Sequence, residues 1–139
     1  MIQEQDLQYA MQVATVTSQR SRATRARVGC VIWDVRIRSI VSMGYNGTPA
    51  GTSNVMEQNN TTLPQVIHAE DNALRKIKKF TWFRRPYIMV VTHMPCVTCS
   101  RLICSYPIQQ VYYMENYGNH EGAAIFAQQN IPLTRVLYR

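Results

Sequence analysis

Apolar residues change period along the chain, and each change marks an element. Leu7, Ala10, Met11 and Ala14, with Val13 beside them, recur every three or four positions. That spacing predicts a helix from about Gln3 to Gln19. Val28-Gly29-Cys30-Val31-Ile32-Trp33 is a β-branched apolar run, and after Asp34 a second run extends from Ile37 to Tyr45. Together they predict a hairpin. Asn46-Gly47-Thr48-Pro49-Ala50-Gly51 is dense in turn formers, and polar sequence continues to about Pro64. Helical spacing returns from His68 to Phe80 through Ala69, Ala73, Leu74 and Ile77. Pro86 precedes Tyr87-Ile88-Met89-Val90-Val91-Thr92, a strand of the fully buried type. Pro95 opens a helix carrying Val97, Leu102 and Ile103, and Val111-Tyr112-Tyr113-Met114 is the next strand. A short helix at about Gly122 to Gln129 and a strand from Leu133 to Tyr138 complete the pattern. Past the hairpin, helices and strands alternate. The expected class is α/β, a mixed sheet covered on both faces.

No repeat, low-complexity tract or linker divides the 139 residues, so one domain over 1–139 is expected. A chain of this size buries roughly 68–70% of its unfolded surface. No apolar run approaches the roughly 18 residues of a membrane span. Met1-Ile2-Gln3-Glu4 lacks the basic-then-apolar start of a signal peptide, so a cytoplasmic location is expected. Fifteen Lys and Arg against eight acidic residues give a formal charge of +7. This charge points to anionic partners without constraining the fold. It is also uneven: Lys occurs only at Lys76, Lys78 and Lys79, while Arg20, Arg22, Arg25 and Arg27 crowd one short stretch. Of four cysteines, Cys96 and Cys99 sit three apart, and Cys30 and Cys104 are isolated. With nothing to suggest export, that spacing reads as metal or redox chemistry.

The chemistry gathers in His68-Ala69-Glu70 and Pro95-Cys96-Val97-Thr98-Cys99. Cys96 and Cys99 open a helix, so both sulfurs project from its first turn. Unpaired N–H groups at that end favour the thiolates a metal needs. His68 adds a nitrogen from another helix start. Two Cys and one His leave a fourth position on zinc for water, as in catalytic sites, and water so held has a pKa of roughly 7. Hydrolysis by such a water also needs a proton carrier, and Glu70, two residues from His68, is the candidate. On a regular helix i and i+2 lie about 200° apart, so the helix must begin at His68, within a residue. Two other readings stand beside this one. A thioredoxin-like redox pair leaves His68 and Glu70 unexplained. A structural zinc site needs a fourth ligand from Cys30, Cys104, His93 or His120; the two cysteines read as core fillers, and the two histidines as solvated.

His-x-Glu followed by Pro-Cys-x-x-Cys is the signature of zinc nucleobase deaminases. Within that superfamily the chain resembles the deoxycytidylate (dCMP) deaminases from about Leu7 to Val136. It does so through His68-Ala69-Glu70-Asp71-Asn72-Ala73, the Cys96–Cys99 motif, and Gly44-Tyr45-Asn46-Gly47-Thr48-Pro49-Ala50-Gly51. The resemblance implies a three-layer cytidine-deaminase-like fold around a five-stranded mixed sheet. It implies hydrolysis of dCMP to dUMP and ammonia, supplying thymidylate synthesis. Zinc-bound hydroxide would attack C4, with the ion on His68, Cys96 and Cys99 and with Glu70 as proton shuttle. It further implies substrate contacts from Asn46, Ala69, Arg25, Arg27 and Tyr117, with the arginines on the 5′-phosphate. Asn46 and Gly47 would alternatively serve only a tight turn. Family members often carry a second, structural zinc in an insertion before the His-x-Glu helix. Here 51–67 contains neither Cys nor His, so one zinc is expected. The family's regulation by dCTP and dTTP would engage Gly44, Asn46 and Gly47, and a homo-oligomer, a hexamer in the family, is expected. His93 stands where the family commonly has Leu.

Three other functions remain open from sequence. One is deamination of a base in tRNA or single-stranded DNA, which needs several phosphate contacts, although the expected partner is a mononucleotide and not nucleic acid or a membrane. Another is action on dCTP as well as dCMP. The last is a zinc-stabilised binding module without catalysis. If the enzyme is phage-encoded, its compartment is the host cytoplasm.

Overall fold

A computed structural model of the chain describes residues 1–59, 61–116 and 120–138. Helix α1 (Glu4–Ser18) falls within a residue of its predicted ends. Strands β1 (Gly29–Asp34) and β2 (Ser39–Tyr45) form the expected antiparallel hairpin, with Gly29 opposite Tyr45 and Asp34 opposite Ser39. The polar stretch that follows contains a hairpin that its sequence does not announce. It pairs β3 (Glu57–Gln58) with β4 (Thr61–Thr62). Then come α2 (Ala69–Leu74), β5 (Tyr87–His93), α3 (Val97–Cys104), β6 (Ile108–Glu115), α4 (Glu121–Gln128) and β7 (Leu133–Arg135).

Two elements are shorter than predicted. The helix expected from His68 to Phe80 ends at Leu74, because its apolar stripe fails there: Ile77 is half-buried but Phe80 projects into solvent. Lys76 and Lys79 would also stack like charges at i, i+3 on a continued helix. The final strand stops at Arg135 rather than Tyr138, although the Val136 N–H still donates to the Tyr113 carbonyl at 2.8 Å.

The main sheet has the order β2-β1-β5-β6-β7. β1 runs antiparallel to both β2 and β5, whereas β5, β6 and β7 are mutually parallel, so the sheet is mixed. Period-two alternation sends each buried strand's residues to two different cores. Val31 and Trp33 of β1 and Ile88 and Val90 of β5 meet Leu7, Ala10, Met11 and Ala14 of α1. Cys30, Ile32, Met89 and Val91 point the other way, toward Ala69, Ala73 and Leu74 of α2, Ile103 of α3 and Phe126 of α4. The result is three layers, helix on sheet on helices. No helix among the described residues is long and apolar enough to cross a membrane.

Two glycines set the distance between layers. A Cβ on Gly29 would lie 1.9 Å from the Ala14 carbonyl oxygen of α1. One on Gly44 would lie 2.5 Å from the Ala69 carbonyl oxygen and 2.6 Å from the Ala73 nitrogen of α2. Helix α2 is therefore seated backbone to backbone on β2. The Ser42 hydroxyl, donating to the Ala73 carbonyl at 2.7 Å, and the Asn72 amide, donating to the Tyr45 carbonyl at 2.8 Å, fix its register. Gly44→Ala should cost about 1–3 kcal/mol by overpacking. Calorimetry should show a melting temperature lowered by several degrees; an unchanged one would mean that α2 is not held by this contact.

Candidate active site

His68 and Cys96 occupy equivalent places, each the extended residue immediately before a helix. His68 (φ −71°, ψ 156°) caps α2, and Cys96 (φ −72°, ψ 173°) caps α3. Because His68 lies outside the helix, the 200° separation of a helical i, i+2 pair does not apply, and Glu70 shares its cleft. The condition that the helix begin within a residue of His68 is met. The segment before His68 is fixed by the glycine loop: Gly47 and Ile67 exchange backbone hydrogen bonds of 3.0 and 2.7 Å.

The side chains converge accordingly. His68 Nδ1 lies 3.7 Å from Cys96 Sγ and 3.3 Å from Cys99 Sγ, and the donor atoms of all three lie within 4.8 Å of one another. A tetrahedral zinc with Zn–S near 2.3 Å and Zn–N near 2.0 Å spaces nitrogen from sulfur by about 3.5 Å. The donor set fits zinc in both chemistry and spacing. Among the described residues no fourth Cys, His, Asp or Glu joins the group. Cys30 is fully buried beneath α2 and Cys104 packs beside the same core, as fillers do.

Electrostatics match this arrangement. A hydrogen bond from the Cys99 thiol, opposed by burial, lowers the Cys96 thiol to about 4, and the Cys99 N–H adds a bond to the same sulfur at 3.4 Å. The shared proton and burial push Cys99 upward. Hydrogen bonding to Cys96, against burial, raises His68. Glu70 is 4% exposed, and burial pushes its carboxyl up to about 7, although neighbouring His68 favours the ionised form.

The cleft encloses about 520 Å³ of space open to solvent, with Glu70, His68, Cys96 and Ala69 on one side and Asn46, Val28 and Thr62 among its other walls. Asn46 spans the cleft wall: its Oδ1 accepts the Val28 N–H at 2.9 Å, and its Nδ2 donates to the Ala26 carbonyl at 2.9 Å. It therefore ties the end of β2 to the segment entering β1. The arginine cluster divides. Arg25 Nη1 donates to the Thr62 hydroxyl at 3.3 Å and so reaches the cleft rim, whereas Arg27 Nε turns back to the Ala23 carbonyl at 3.3 Å. Arg20 and Arg22 line a separate depression, open to solvent, with Asn46, Gly47 and Thr48. Gly44 lines neither the cleft nor the depression, being covered by α2. Tyr117 lies outside the described residues.

Two residues at this site escaped the sequence reading. His93, expected to be solvated, is half-buried in the cleft wall with Nδ1 2.8 Å from the Thr92 hydroxyl oxygen. Burial lowers its pKa, against Glu115. Its position, last in a buried strand and three residues before Cys96, was the available signal. Glu57 accepts from the Thr24 N–H and hydroxyl, both at 3.0 Å, and from the Arg25 N–H at 3.3 Å. Burial opposes it, but these bonds hold its carboxyl below the ordinary value. No local pattern announces a contact across 33 residues.

The cytidine and deoxycytidylate deaminase zinc-binding region matches residues 4–115. The chain belongs to that family. Among its relatives is ComE operon protein 2 of Bacillus subtilis, 32% identical over 134 residues, covering 93% of this chain and 70% of that protein. A probable deoxycytidylate deaminase of Caenorhabditis elegans is 35% identical over 112 residues, which are 76% of this chain and 55% of the nematode protein. The dCMP deaminase of cyanophage S-TIM5, solved in complex with dCMP and dUMP, superposes with a TM-score of 0.87 at 31% identity. That match covers 98% of this chain and all of the phage protein. The fold and the zinc chemistry of the family are thus those expected from the sequence.

Removing one ligand should empty the site without unfolding the core. Cys99→Ala should purify with most of its zinc lost by elemental analysis, while Cys104→Ala keeps a wild-type content. Equal zinc in both would place the ion elsewhere.

Proposed function

We propose that the protein hydrolyses dCMP to dUMP and ammonia, with His68, Cys96 and Cys99 holding one zinc ion per chain. The observation that carries this reading is a buried carboxyl, Glu70, in the same cleft as the three metal donors. The match to a dCMP-bound phage enzyme over nearly the whole chain supports it. Zinc at those donors supplies Lewis-acid activation of water. Glu70 does the rest of the proton work. Its carboxylate takes the proton of the attacking water and delivers it to ring N3, then takes the proton of the new C4 hydroxyl and passes it to the amine, which leaves as ammonia as the C4 carbonyl forms. Val28, Val66 and Met94 line the cleft and limit competing water around the ring.

Arg25 is the stronger candidate for the 5′-phosphate, since its guanidinium reaches the rim through Thr62; a planar fork suits a phosphate dianion. Arg27 and Tyr117 complete the proposed substrate set, and Ala69 brings the first backbone N–H of α2 to the cleft. Asn46 supports the sugar from a position its two backbone bonds make rigid. The open depression, with Arg20, Arg22, Asn46 and Gly47, is where a triphosphate regulator such as dCTP or dTTP would sit. A homo-oligomer and a cytoplasmic location complete the proposal.

Glu70→Gln should lower kcat on dCMP by about 10²–10⁴-fold while zinc content and melting temperature stay near wild type. Retained turnover would assign the proton work elsewhere. Ammonia release should be measured in parallel on dCMP, deoxycytidine, dCTP and single-stranded DNA. The proposal expects dCMP to lead; equal activity on deoxycytidine would remove the phosphate role of Arg25, and activity on the polymer alone would replace the substrate.

A further inference from the structure

The lysines do not serve the catalytic cleft. Residues 76–85, Lys-Ile-Lys-Lys-Phe-Thr-Trp-Phe-Arg-Arg, hold five of the chain's fifteen Lys and Arg, and no acidic residue occurs between Asp71 and Glu115. The segment links α2 to the start of β5, whereas two of the metal donors, Cys96 and Cys99, follow the other end of that strand. Seven residues of extended chain separate the two poles by roughly 20 Å.

Two of its aromatic side chains are almost fully in solvent, Trp82 at 90% and Phe80 at 89% exposure. They do not hang on a loose loop. The Thr81 hydroxyl accepts from Arg36 Nη1 at 3.1 Å and from the Phe83 N–H at 3.2 Å, and Gln109 Nε2 donates to the Arg85 carbonyl at 2.7 Å. Phe83 meets the Trp82 ring edge-on, with centroids 6.5 Å apart at 81°. Phe80, Thr81 and Trp82 line a shallow cleft with Lys78 and Arg36. The one acid beside it, Asp34, is engaged with Arg36 at 2.8 Å. Among the described residues Lys78 and Arg84 make no ion pair.

We propose that this loop is a binding site for single-stranded nucleic acid, with Phe80 and Trp82 stacking on bases while Lys78, Lys79 and Arg84 pair with phosphates. Exposed ring faces interleaved with cations are the combination that tracks a single strand without reading its sequence. A second copy of this chain would oppose like charge to like charge. A bilayer surface calls for a continuous apolar tip, which Lys78, Lys79 and Arg84 interrupt. An acidic peptide satisfies the cations but leaves the two ring faces unstacked. The bound strand is a tether for the enzyme and not its substrate.

The chain carries its own reporter, because Trp33 is buried at 4% exposure and Trp82 is the other tryptophan. Titrating the zinc-loaded protein with a thymidine oligonucleotide at low salt should quench tryptophan emission saturably. Three phosphate contacts predict that log affinity falls against log salt with a slope of about −2. Anisotropy of a labelled oligonucleotide should show affinity reduced roughly tenfold or more in Trp82→Ala and in Phe80→Ala. Lys78→Glu should flatten the salt slope. All three variants should deaminate at the wild-type rate, which separates this test from that of the catalytic reading. No quenching at low salt would overturn the proposal. So would tighter binding to phosphatidylserine vesicles, or polyglutamate competing as well as the oligonucleotide does.

Discussion

His68 stands one residue outside its helix, in extended backbone, and the catalytic end of the molecule is organised by that fact. Inside a helix, His68 and Glu70 would face opposite ways. At the cap position the imidazole turns toward Cys96 and Cys99, which a second helix start supplies, while Glu70 enters the same space from the first turn. Two helix N-termini therefore point their unpaired N–H groups at one small volume. That field favours the thiolate form on which metal binding depends. Cys96 does both tasks, accepting the Cys99 N–H as a cap and offering its sulfur as a donor.

Such a meeting point needs both helices placed to a fraction of an ångström, and the means are backbone contacts. Gly44 lets α2 sit directly on β2. Gly122 lets α4 close on the Ser100 side chain of α3, where a Cβ would come 2.4 Å from the hydroxyl oxygen. Asn46 and Glu57 extend this order to the loops, each joining segments far apart in sequence by side-chain bonds to backbone.

Much of this was legible in the sequence for definite reasons. Val28 to Tyr45 and Tyr87 to Thr92 read as strands because β-branched runs are long and bounded by turn formers. His68-Ala69-Glu70 and Cys96–Cys99 read as one site because together they resemble the zinc deaminase signature, and a helix start at His68 lets His68 and Glu70 share it. What escaped depended on tertiary contact. The pair Glu57–Thr62 has no apolar alternation, and its hairpin is held by a satellite core of Ala23, Met56 and Val66. The helix overran to Phe80 because an i+3 stripe cannot tell whether its last apolar residue finds a partner. His93 was misplaced because a strand end beside a metal helix looks the same in sequence whether it faces solvent or a cleft. The charge, read only as a sum, conceals two poles: arginines near the cleft and lysines at the far end of β5.

An open metal site made by three protein donors is what the proposed chemistry requires. X-ray absorption at the zinc edge of the purified protein tests that claim most directly. The account predicts two sulfur scatterers near 2.3 Å, one histidine nitrogen, and a remaining light atom from solvent. Three or four sulfurs around the ion would contradict it, since a closed thiolate shell leaves no position for the water that Glu70 is proposed to deprotonate.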